Sequence, residues 1–128
     1  MIDEKEQLPT EELVPILKAL AEPNRLRIFA ELMQGNSCNG ELQEKLGLPA
    51  NLLSHHLRVL NKAGLVASRR DVIDGRWIYY SLNQDVVARW HKWFGFFFDP
   101  ARIQERPFCG PEGNCGDDIP LMALTLDA

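Results

Sequence analysis

Three cysteines carry the most specific chemistry in this 128-residue chain: Cys38, Cys109 and Cys115. The last two bracket five residues in a turn-rich string, Cys109-Gly110-Pro111-Glu112-Gly113-Asn114-Cys115. Such a loop can fold back so that both sulfurs face one atom. In an intracellular protein, cysteines of this kind suit metal binding or redox sensing rather than structural disulfides, and soft thiolates suit thiophilic ions. Cys38 lies just ahead of an expected helix, a position that favours a thiolate. The plainer readings are a small buried hydrophobe for Cys38 and an extension with incidental cysteines for the pair. The closing IPLMALTL string looks able to dock on something.

A second constellation runs from Pro49 to Leu82. At 3.6 residues per turn, Asn51, Ser54, His55, Arg58 and Lys62 fall on one stripe of a helix, with Leu53, Leu57 and Leu60 opposite. Short polar groups near the start of such a helix can reach base edges, and Arg and Lys suit phosphates. His55 belongs to the polar stripe. His56 lies beside the apolar side and is expected to be packed and hydrogen-bonded. As a metal pair they are unsuited, because neighbours on a helix point about 100 degrees apart. The bland alternative for the stripe is an ordinary solvated helix face.

Other elements must hold that helix in place. Glu41–Leu46, with Leu42 and Leu46 apolar, reads as the preceding helix, ended by Gly47 and the Leu48-Pro49 turn. Gly64 is the expected left-handed stop of the reading helix. A hairpin follows, residues 66–71 and 76–82, with Asp74-Gly75 as its turn signal and Arg69, Arg70 and Arg76 on its tip and flanks. Upstream, Thr10 is expected to cap a helix with Leu13, Ile16, Leu17 and Leu20 as its apolar face. A further helix from Pro23 is expected to bury Leu26, Ile28, Phe29 and Leu32, ending at Gly35. Asn83 is expected to cap a last helix over 84–98, whose Val86, Val87, Trp90, Trp93, Phe94, Phe97 and Phe98 exceed what one side of a small domain buries. That surplus points to a second copy as partner. The expected fold is mainly α (α+β): a winged helix-turn-helix of five helices and a two-stranded wing, dimeric. Residues 1–98 would form the DNA-binding and dimerisation domain and 99–128 a cysteine-containing tail.

The net charge of −4 is unevenly spread: residues 50–80 carry +3, so the remainder carries −7. A basic face on an acidic body can still bind phosphates. Nothing resembles a signal peptide, and no apolar run approaches the roughly 20 residues of a membrane span, so a cytoplasmic location is expected.

With these residues in view, the chain resembles the arsenical-resistance repressor (ArsR/SmtB) family of metal-responsive regulators. The matching segments are ALAEPNRLRIFAEL (19–32), LPANLLSHHLRVLNKAGLV (48–66) and RRDVIDGRWIYYSLN (69–83). The resemblance implies a homodimeric repressor that leaves double-stranded operator DNA when a thiophilic metal or metalloid binds. One class of the family uses a CxC pair at the start of the first reading-motif helix; here Cys38 is present but Gly40 holds the second position. Another uses Asp and His on the last helix; Asp85 and His91 are here without a second correctly spaced partner. A third, the arsenic sensors, carries a C-x5-C element beyond the last helix, matched by Cys109 and Cys115, with Phe108 where a further cysteine often stands. The resemblance therefore implies trivalent arsenic as inducer, arsenite or methylarsenite, with antimonite as a further candidate and no organic cofactor. Its ligands would be Cys109 and Cys115, with Cys38 as a third sulfur. Trivalent arsenic takes three sulfurs in a pyramid, whereas a monomethyl arsenical has room for two.

Two variants keep the repressor and change the signal: a thiol redox or persulfide sensor, and a cadmium, lead or zinc sensor. An enzyme is not expected. There is no glycine-rich phosphate loop or nucleophile paired with a base, and Glu112 would repel an oxyanion from the cysteine loop. A pure interaction module would show no operator binding.

Overall fold

The computed structural model describes residues 8–105, and Cys109 and Cys115 lie outside them. The described chain falls into two units, divided between Lys92 and Trp93.

In the first unit, α1 (Thr10–Leu20) and α2 (Pro23–Met33) are followed by a two-residue strand β1 (Ser37–Cys38), α3 (Asn39–Leu46) and α4 (Ala50–Lys62). Strands β2 (Val66–Arg70) and β3 (Ile78–Leu82) come next, then α5 (Gln84–Phe97), which runs through the division. The sheet is antiparallel in the order β1-β3-β2, with Cys38 opposite Tyr79 and Arg69 opposite Tyr79 on its other side. The expected two-stranded wing thus gains a third strand. Two residues have no periodicity to betray them, and β1 exists only because β3 arrives from far along the chain to pair with it.

Helix α2 is the hub, packing on α1, α3 and α4, while α4 also packs on β2. Ile28, Leu42 and Leu60 are the largest fully buried side chains, one from each of α2, α3 and α4. Burying each of these is worth roughly 1.5–3 kcal/mol, which fixes the three-helix geometry more firmly than any polar contact nearby. Gly47 (φ 66°) ends α3 and Gly64 (φ 84°) follows α4, both left-handed as expected.

Several expectations need correction. Thr10 is the first residue of α1 rather than its cap; Pro9 occupies the cap position and makes no side-chain bond there. Helix α1 buries Leu13, Ile16 and Ala19, whereas Leu17 is exposed. Helix α2 buries Ile28 and Leu32 but leaves Leu26 exposed. In both helices the apolar stripe is wider than the face that meets a neighbour. Trp77 lies outside the wing strands. Gly75 is not in the left-handed region, so the wing does not close by a two-residue turn. It closes by a loop in which Asp71 N donates to Trp77 O (2.9 Å) and Trp77 N donates to Asp74 O (3.0 Å).

Asn83 caps α5 as expected, its Oδ1 accepting from Val86 N at 3.3 Å. In the second unit Trp93 stacks on Phe97 with ring centroids 4.4 Å apart, and Phe94 stacks on Phe98 at 5.5 Å. Phe97 and Phe98 remain exposed. Asp99 caps a short 3-10 turn, Pro100–Arg102. Among the described residues no helix is long and apolar enough to cross a membrane.

Candidate nucleic-acid interface and thiol site

Helix α4 presents the predicted stripe. Asn51, Ser54, His55, Arg58 and Lys62 are all exposed, while Leu53, Leu57 and Leu60 are buried. The five polar side chains share one helix face because the leucines at 3.6-residue spacing must face α2 and the sheet.

The wing arginines are placed less uniformly than the sequence suggests. Arg69 and Arg70 lie within β2, not at the tip. The Arg69 guanidinium stands over the Tyr79 ring, 4.8 Å from its centroid, and Arg70 Nη1 donates to Gly75 O. Arg76 follows the turn and is paired with Asp74, Nη2 to Oδ2 at 2.8 Å and Nε to Oδ1 at 3.0 Å. That guanidinium holds the Asp74 carboxyl below the usual carboxylate range. The tip itself carries Val72 and Ile73.

Three supporting groups are not announced by the sequence. Asn39, at the start of α3, donates through Nδ2 to Arg76 O (3.3 Å) and accepts from Ile78 N (3.4 Å), tying the helix-turn-helix to the base of the wing. Arg27 Nη2 donates to Leu46 O (2.9 Å), closing the C-terminal end of α3 from α2. Arg25 Nε donates to Ala19 O (2.6 Å) and its Nη1 lies 3.2 Å from His56 Nδ1. His56 is buried and hydrogen-bonded, as expected. Most of these contacts join residues far apart in sequence, and only the expected buried histidine on the reading helix hinted at one of them.

Cys38 is buried, 7% exposed, at the cap position of α3 and in register with Tyr79 of β3. Glu41 reaches back to it: Oε1 accepts from Cys38 N (3.1 Å) and from Ser37 Oγ (3.1 Å). The Cys38 N–H, then the Ser37 hydroxyl, hold the Glu41 carboxyl below its ordinary value. Cys38 therefore sits where α3, the sheet and the wing meet. Among the described residues no cluster of three or more His, Cys, Asp or Glu side chains is placed to hold a metal ion. Asp85 and His91 are both exposed on α5.

Comparison with known proteins agrees with this geometry. The family model described as bacterial regulatory protein, arsR family, matches residues 22–68, from the start of α2 into β2. The biofilm growth-associated repressor of Agrobacterium fabrum is 41% identical over 78 residues, 61% of this chain and 64% of that protein. The match thus spans just under two thirds of that relative. The transcriptional repressor SdpR of Bacillus subtilis is 32% identical over 78 residues, 61% of this chain and 83% of that one. The crystal structure of the transcriptional repressor BigR from Xylella fastidiosa superposes with a TM-score of 0.59 at 30% identity, covering 77% of this chain and 97% of that chain. These relatives are regulators rather than enzymes. The chain belongs to the arsR family of bacterial regulatory proteins.

Proposed function

We propose that this protein is a cytoplasmic transcriptional repressor that binds operator DNA as a homodimer and leaves it when trivalent arsenic is held by cysteine thiolates. One observation carries the DNA half: Asn51, Ser54, His55, Arg58 and Lys62 share the solvent face of a helix whose opposite face is locked by buried leucines. A rigid helix offering short polar groups and then cations suits a major groove. The wing adds Arg69, Arg70 and Arg76 beside it. Exposed Val14 and Leu17 on α1 supply apolar surface for a second copy, and within the second unit Phe97 and Phe98 supply apolar surface of their own.

The sensing half rests on donor chemistry. The chain has three thiols, and three sulfurs suit trivalent arsenic or antimony. Cys109 and Cys115 would hold the ion, with Cys38 as third sulfur. Because Cys38 is buried and bracketed by Glu41, its recruitment requires the β1–α3 junction to open. That junction touches both α3 and the central wing strand, so opening it disturbs the DNA face. Release requires the ligand to favour the opened state over the DNA-bound one.

Fluorescence anisotropy of the reduced protein on its own promoter DNA tests this, with arsenite, methylarsenite, antimonite, zinc, cadmium and a persulfide donor as titrants. Release by trivalent metalloids is expected. Cys109→Ser and Cys115→Ser should bind DNA normally and fail to release. Normal release by both serine variants would remove the tail from the sensor, and release by the persulfide donor alone would make the thiols a redox sensor.

A further inference from the structure

Arg25 stands near the start of α2 and reaches two other helices. Its Nε donates to Ala19 O (2.6 Å) in the last turn of α1, and its Nη1 lies 3.2 Å from His56 Nδ1 on α4. Carbonyls in the last turn of a helix have no partner within that helix, so Arg25 satisfies one that α1 leaves open. Glu22 frames the same group: its Oε1 accepts from Arg25 N (3.0 Å) and stands 3.8 Å from His56 Nε2. Ala19 and His56 are both buried. Apolar contact among α1, α2 and α4 is non-directional and tolerates sliding. A planar guanidinium with donors at fixed angles does not. It holds the end of α1 and the middle of α4 at one separation.

We propose that Arg25 is the positioning residue that sets how far apart the two reading helices of a dimer stand, and hence the half-site spacing the protein accepts on DNA. The inference rests on the homodimeric DNA-binding reading above. Helix α1 offers Val14 and Leu17 to a second copy and α4 carries the polar stripe, so the relation of α1 to α4 links the dimer contact to the reading head. Two-fold symmetry repeats that relation, and any error in it counts twice. Half-sites lie roughly 34–36 Å apart, one turn of DNA, or a multiple of it, and each base pair is a step of roughly 3.4 Å. Hydrogen bonds hold their length to within a few tenths of an ångström, finer than that step. His56 is on the buried side of α4, so Arg25 acts through the helix and reads no base itself. Its effect falls on spacing rather than on sequence.

The test is anisotropy of the full chain on three kinds of duplex: the site footprinted on its own promoter, the same site with one or two base pairs added or removed between half-sites, and a single half-site. The parent should prefer the native spacing sharply. Arg25→Gln should bind the native site about tenfold more weakly, the scale of losing a hydrogen bond to a charged group. It should lose little more when the spacing changes, and should bind the single half-site as the parent does. Arg25→Lys should resemble Arg25→Gln, because an ammonium cannot hold both partners in a fixed fork. His56→Leu, which removes only the α4 end of the link, should flatten the spacing profile too, and His56→Gln, which keeps an acceptor for Arg25, should restore it. Equal weakening on whole and half sites, with the parent's spacing preference intact, would make Arg25 a brace for stability alone and overturn the inference. If thermal unfolding shows that the Arg25 variants do not fold, the His56 pair decides: identical spacing profiles for His56→Leu and His56→Gln would overturn it. A parent that binds no DNA, or binds whole and half sites equally, would overturn the underlying reading instead, and is seen in the first titration.

Discussion

His56 shows how one side chain couples the reading helix to its support. A guanidinium can only donate, so Arg25 Nη1 at 3.2 Å makes His56 Nδ1 an acceptor and leaves the neutral ring's proton on Nε2. Nε2 lies 3.8 Å from Glu22 Oε1. Burial disfavours the imidazolium most; Glu22 favours it, and Arg25 and His55 oppose it, so the group titrates below its ordinary value of 6.5. Above 6.5 neither folded nor unfolded chain is protonated and the site contributes no pH dependence. As pH falls through 6.5, the unfolded chain takes up a proton that the folded one resists, so stability declines. Urea unfolding at about pH 7.5 and about pH 5.5 should show this loss, before most carboxylates titrate. His56→Gln, which keeps an acceptor for Arg25, should flatten the difference, and an unaltered pH dependence would show that His56 is not its source.

Among the elements, the stop after α4 decides where the reading helix ends and the wing begins. Gly64 holds φ 84°, and Leu65 N donates back to Leu60 O at 3.0 Å across it. A Cβ placed at Gly64 would meet nothing within 4 Å, so the cost of a substitution there is conformational rather than steric. Gly64→Ala should lower stability by about 1 kcal/mol, the penalty of a left-handed L-residue, measured by chemical denaturation. Gly75→Ala, at a turn glycine without positive φ, is the control and should change little. An equal loss at both positions would refute the conformational account. This stop was legible in the sequence, as was the α4 stripe, because both follow from local rules acting over a long periodic segment. Strand β1 was not, since two residues become a strand only through a partner far away. Nor were the exposures of Leu17 and Leu26, because residue type gives an apolar stripe but not which part of it meets a neighbour. The wing's Asp-Gly pair marked a turn correctly, yet the wing-tip loop that bends Val72 and Ile73 outward is set by Asp71 and Asp74 side chains bonding backbone and Arg76. Of the candidate site, the α4 residues share the exposed helix face that the periodicity implied and Cys38 stands at its expected helix start, while Cys109 and Cys115 lie outside the described residues.

Across the whole molecule the question is how an acidic chain holds a polyanion. The charge of −4 covers a segment, residues 50–80, that carries +3. Within it the cations are not equivalent. Arg58 and Lys62 are exposed on α4, whereas Arg76 is shared with Asp74. Each phosphate neutralised releases counterions, so the logarithm of the binding constant falls with the logarithm of salt concentration by roughly 0.9 per contact. In the two-fold dimer proposed above, a single substitution acts twice. Arg58→Gln should therefore make the slope shallower by about two, as well as weakening binding. Asp74→Asn should do the reverse. It removes an acid from the DNA face and frees Arg76 for a phosphate, so binding should tighten at low salt and the slope should steepen by up to about two. The asparagine oxygen can still accept from Arg76 N, so the turn is preserved. Anisotropy titrations of both variants across a salt series measure these slopes directly. If Asp74→Asn left the slope unchanged, Arg76 would be a structural partner of the wing loop and not a reserve contact for DNA.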